Sequence, residues 1–138
     1  MYRNLIFYPV LVLMVVTLLT YVYMLRVKAR ENRAGRVNRE RWTLYEDAWP
    51  ANVLQINNNL RNQFEMPVLF YGVCFMLWAL DAVGVVALAA AWLFVLARIV
   101  HGWIHLTSNR MRHRARAFAA GWWVLVFMVL LTLWELAV

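Results

Sequence analysis

Charged residues are scarce in this chain. They fill 15% of 138 positions, while 64% of positions are hydrophobic. So little polar surface excludes an ordinary soluble domain of this length. Acidic residues are scarcer still, seven Asp and Glu against fourteen Lys and Arg, for a net charge of +7. That imbalance points to anionic lipid head groups or an anionic ligand as partners. Nucleic acid fits poorly, because the basic stretches flank apolar runs instead of forming a soluble basic face. Cysteine occurs once, at Cys74 inside an apolar run, so no intrachain disulfide can form and a small packing role suits it. Internal repeats and low-complexity tracts are also lacking, which makes one membrane domain over residues 1–138 the simplest organisation.

What the chain has in abundance is apolar sequence in four runs, at about residues 5–25, 65–80, 83–105 and 117–138. About 20 residues suffice to cross a bilayer as a helix. The expected fold is therefore all-α, an integral membrane four-helix bundle. The first run is longer than the apolar part of a signal peptide and lacks a small-residue cleavage site after it. Arg26, Lys28, Arg30 and Arg33 follow instead, so the run reads as a retained helix, continuing past the membrane to about Arg41 with Gly35 as its weak point.

Twelve of the fourteen basic residues fall in two loops, 26–61 and 106–116, leaving only Arg3 and Arg98 elsewhere. The positive-inside rule puts both loops in the cytoplasm, with the Asp81–Gly84 turn and both termini on the opposite side. Trp42–Tyr45 and Trp49-Pro50 read as an interfacial stretch.

Polar groups at membrane depth are costly and tend to mark a functional site. Asn58, Asn62 and Glu65 are spaced by four and three, and so are expected on one helical face. Arg98, His101 and His105 are spaced by three and four on the third run and share a face in the same way. Antiparallel packing of these two helices would bring Glu65 and Arg98 to one depth, where an ion pair would neutralise both. That pair could simply lock the bundle. Two histidines without a third ligand make a weak metal or haem site, and no metal is expected.

At these residues the chain resembles the membrane-associated proteins in eicosanoid and glutathione metabolism, the MAPEG family. The resemblance covers nearly the whole chain: four spans, a long basic loop after the first, a second basic loop after the third. Locally it rests on Arg61-Asn62-x-x-Glu65 with Pro67 close behind, then Arg98-x-x-His101-x-x-x-His105. The resemblance implies a homotrimer with glutathione bound between subunits on the cytoplasmic side. Asn58, Arg61, Asn62, Glu65, Arg98, His101 and His105 would contact it, and an arginine at the start of the fourth helix would stabilise its thiolate. By spacing that arginine is Arg112 or Arg114, with Arg110 a lesser option. Family enzymes commonly carry tyrosine at the place of His105, some also at His101, and arginine at the place of Asn58. The chain is thus similar to a bacterial-type, outlying member, which implies the bacterial inner membrane. The activity implied is transfer of glutathione to a hydrophobic electrophile from the lipid, or reduction of a lipid hydroperoxide. The alternative is a non-catalytic membrane scaffold or lipid-binding trimer.

Overall fold

The computed structural model describes residues 2–138. Among them every regular element is helical. After a short 3-10 segment at Tyr2–Ile6, the helices are α1 Phe7–Arg33, α2 Ala51–Gln63, α3 Met66–Ala79, α4 Val85–Leu106 and α5 Met111–Ala137. Among the described residues, three helical stretches are long and apolar enough to cross a membrane: Arg3–Arg33, α4 and α5. In the first of these the apolar part ends at Leu25, and Arg26–Arg33 extend about 12 Å beyond it at 1.5 Å per residue.

α1 stops at Arg33, well short of Arg41, and local geometry shows why. Gly35 takes a φ of +69°, the left-handed conformation that glycine adopts without strain. The Gly35 and Arg36 amides then turn back to the carbonyls of Asn32 (3.1 Å) and Glu31 (3.1 Å). This two-bond closure is a strong helix stop. The following loop, with a 3-10 turn at Glu46–Ala48, folds back so that the Asn38 amide donates to the Ala48 carbonyl at 3.0 Å.

The second expected helix is broken. A continuous helix would place the Pro67 ring against the carbonyl of Gln63, four residues back. The chain avoids this by ending α2 at Gln63, turning through Phe64 and Glu65, and starting α3 at Met66. α3 alone, at 14 residues, is about 21 Å long and cannot span a hydrocarbon core of about 30 Å. α2 and α3 together form the second rod of the bundle. On the same side of the molecule as this break, the fourth helix begins at Met111, earlier than expected. Asn109, with φ 46°, makes the tight turn, and its amide closes on the Ile104 carbonyl at 2.8 Å. Arg112, Arg114 and Arg116 therefore ride on α5 and not on a loop.

The core lies between α1, α3, α4 and α5, around Leu13, Phe70, Leu77, Phe94 and Met128. Phe70 and Phe94 stack with ring centroids 4.4 Å apart. A second, smaller cluster of Met24, Val27, Val53, Ile56 and Leu60 joins α1 to α2. The end carrying the α3–α4 turn is tied to the N-terminal segment: Arg3 pairs with Asp81 at 3.6 Å, and Trp78 Nε1 donates to Asn4 Oδ1 at 2.8 Å. The opposite, basic end holds the long loop, the α4–α5 turn and the arginines. Glu31 is buried there, outside the apolar part of α1. It accepts from Arg36 Nε at 2.5 Å and from Asn52 Nδ2 at 2.9 Å, clasping α1, the loop and α2 together. Those hydrogen bonds, Arg36 first and Asn52 second, hold its carboxyl far below the usual range, at about 2.

Candidate functional site

The break in α2–α3 creates the site's first feature. The last carbonyls of a helix have no partner within it, and the Asn62 carbonyl, one residue before the end of α2, takes Arg98 Nη2 instead, at 2.8 Å. Arg98 is only 4% exposed. Its guanidinium carbon lies 5.6 Å from the centre of the Phe118 ring on α5. Its aliphatic stem passes Gly121: a methyl group there would sit 3.5 Å from Arg98 Cδ, so this helix contact leaves room for little more. Among the described residues, two guanidinium nitrogens, Nε and Nη1, are buried without a partner.

One turn on, His101 is also buried. Its Nδ1 lies 3.1 Å from the Arg114 carbonyl of α5. A carbonyl can only accept, so Nδ1 carries the proton and Nε2 of the neutral ring presents a lone pair. That Nε2 likewise has no partner among the described residues. The His105 ring meets it edge-on with centroids 5.8 Å apart, and the His105 carbonyl at the end of α4 accepts Gln55 Nε2 at 2.6 Å.

Two cavities are both lined by His101. The inner one, about 140 Å³, is lined by Thr20, Asn59, Gln63, Arg98 and Gly102, with Leu13, Ile99 and Trp103 as apolar walls. The other, about 250 Å³, is bounded by Asn62, Met111, Arg114, Ala115 and Phe118. The volume of the first suffices for several waters or a small polar group.

Several expectations are corrected by this geometry. Among the described residues no Glu65–Arg98 ion pair forms. Glu65 sits in the turn with φ −94° and ψ −92°, exposed, so it does not continue the face of Asn58 and Asn62. Arg61 instead pairs with Glu46 of the long loop. The Asn62 amide folds back onto the Asn58 carbonyl at 3.0 Å, and Asn58 itself is exposed. Of the two arginine candidates, Arg114 borders a cavity, with its guanidinium held by Asn109 Oδ1 at 2.7 Å. Arg112 is exposed. Arg98, His101 and Asn62 come together. Glu65, Arg61 and Asn58 face a different way.

Sequence reasoning missed the polar residues that face inward on α2. Asn59 is fully buried, Gln63 nearly so, and Gln63 Nε2 donates to Asn59 Oδ1 at 2.7 Å and to Thr20 Oγ1 of α1 at 3.3 Å. Asn59 Nδ2 reaches the Gly102 carbonyl at 3.4 Å. The signal was available. Val53, Ile56, Leu60 and Gln63 fall at intervals of three and four, and Asn59 lies within that stripe, so the apolar side chains mark the buried face. Among the described residues no three His, Cys, Asp or Glu side chains cluster closely enough to hold a metal ion.

The fold and the Asn62, Arg98 and His101 cluster can be set beside known proteins. No curated protein and no solved structure matches the chain. The sequence model of the MAPEG family matches residues 6–134, nearly the whole chain. An all-α, integral membrane four-helix bundle with this match is an assigned fold: the chain belongs to the MAPEG family.

Proposed function

We propose that this protein binds glutathione or a similar small thiol at its basic end, between subunits of a homotrimer, and presents it to a hydrophobic molecule entering from the lipid. The chemistry is conjugation to an electrophile or reduction of a lipid hydroperoxide. The single observation that carries the reading is Arg98: a guanidinium buried at membrane depth with two unpartnered nitrogens. A buried charge without a counter-charge costs several kcal/mol, and an anionic ligand would relieve that cost. The donor set suits the ligand. Carboxylates pair well with Arg98 and Arg114, and Asn62 and His101 border the same cavity as Arg114. Placing a ligand carboxylate near Arg114, at the start of α5, also sets it in the positive field of a helix N-terminus.

The scaffold reading is supported by a different observation. The Thr20, Gln63 and Asn59 chain ties α1 to α2 and needs no ligand to do so. Thermal unfolding in detergent separates the two. On the ligand reading, millimolar glutathione raises the transition of the wild-type protein and not that of Arg98→Ala. A wild-type transition unmoved by glutathione, with no thiolate absorbance, sinks the ligand reading and leaves the scaffold.

A further inference from the structure

We propose that His101 is the base that takes the proton from the bound thiol, and that Arg98 pairs with the sulfur anion so formed. The inference deepens the thiol-binding reading and rests on it. It starts from atoms that lack partners. The Arg114 carbonyl fixes the proton on His101 Nδ1, which leaves Nε2 as a buried lone pair with no donor. Three residues before it on the same helix, Arg98 Nε and Nη1 are buried donors with no acceptor. Arg98 and His101 line one cavity. A lone pair and a cationic donor pair at one place suit a group that gives up a proton and keeps the charge, which is what a thiol does.

The step balances without any further reagent. The S–H bond breaks, its electron pair stays on sulfur, and the proton forms an N–H bond at His101 Nε2. The products are an imidazolium and a sulfur anion, with the anion beside the Arg98 guanidinium. The titratable groups near the ring are Arg98 and His105 on α4 and Arg114 on α5, with the Phe118 ring of α5 tilted against it and the amides of Asn59, Asn62 and Gln63 of α2 in the two cavities it lines. α1 adds only Leu13, Val16 and Thr20 to the cavity, none of them titratable. With two guanidinium groups already near, the ring accepts a proton together with the arrival of the negative sulfur, so deprotonation is coupled to binding.

Proton counting tests this directly. Glutathione is titrated into the wild-type protein by calorimetry in two buffers of different ionisation heat, while thiolate absorbance is followed in the ultraviolet. If His101 holds the proton, the thiolate signal appears and close to no proton reaches the buffer. If an arginine alone stabilises the thiolate, one proton is released per thiolate formed, and the proposal is overturned while thiol binding stands. A second arm uses His101→Phe with S-methylglutathione as a control for an intact site. A variant that still binds the methylated ligand, at whatever affinity, should show no thiolate signal with glutathione. A thiolate signal retained in His101→Phe overturns the proposal. Should that variant fail to fold, the wild-type proton count still decides. Binding by the wild type without any thiolate signal overturns the base alone, and no binding at all overturns the thiol reading with it.

Discussion

Replacing Arg98 by methionine, similar in length and uncharged, asks whether this residue is there to hold the bundle or to hold a ligand. The structure gives both sides of the sum. The substitution removes one hydrogen bond from a charged donor to the Asn62 carbonyl, worth about 1.5–3 kcal/mol. It also removes a buried cation with two unpartnered nitrogens, whose desolvation costs several kcal/mol. The stem's packing on Gly121 and Phe118 is largely kept by a methionine. The second quantity is at least as large as the first, so Arg98→Met should be as stable as the wild type or more so. For a chain of this size 1 kcal/mol is about 4 °C in the transition temperature. The assay is unfolding in detergent followed by tryptophan fluorescence, with and without glutathione. The expected result is a transition equal to or above that of the wild type, and loss of the glutathione-induced rise. A fall of more than about 10 °C in the absence of ligand would refute the reasoning: Arg98 would then be a net structural tie whose charge is compensated in the bundle.

Other outcomes follow from the same packing. Gly121→Ala should be accepted, since the added methyl meets Arg98 Cδ at ordinary contact distance and alanine gains about 1 kcal/mol over glycine in a helix. Gly121→Leu should displace Arg98 and abolish the glutathione-induced thermal shift. Gln63→Leu removes the donor shared by Asn59 and Thr20, and a loss of about 1–3 kcal/mol is expected for leaving buried acceptors unsatisfied; combined with Asn59→Leu the losses should be less than additive, as measured by a double-mutant cycle. Phe70→Ala deletes one face of the Phe70–Phe94 stack, at about 3–5 kcal/mol. The Glu31 clasp sets an acid limit. Its carboxyl titrates at about 2 in the folded protein, below its usual 4.5, so its contribution is complete above 4.5 and is lost as pH falls toward 2. Glu31→Gln should show no such loss across that window in acid unfolding curves, whereas an unchanged acid transition would remove Glu31 from the account.

By itself, the sequence determined the class of the molecule. A chain with few charges and four long apolar runs has nowhere to put its apolar surface except a membrane and a helical bundle, because only helices satisfy every backbone group locally in lipid. It also marked Asn62, Arg98 and His101 among its candidates, since ionisable and polar groups stand out against an apolar background, and it left Arg112 and Arg114 as open alternatives. What it left open was which way each side chain faces. Asn58, Asn62 and Glu65 look like one face only if the helix runs through them, and Pro67 forbids that by its clash with the Gln63 carbonyl. The resulting turn sends Glu65 to the surface, frees the Asn62 carbonyl for Arg98, and leaves Asn59 and Gln63 as the polar residues turned inward. Likewise nothing along the chain announces that the Arg114 carbonyl, from another helix, fixes the proton on His101. Composition and periodicity are properties of the chain and can be read from it. Pairing between atoms far apart in sequence depends on where the helices stop, and only the tertiary structure decided that.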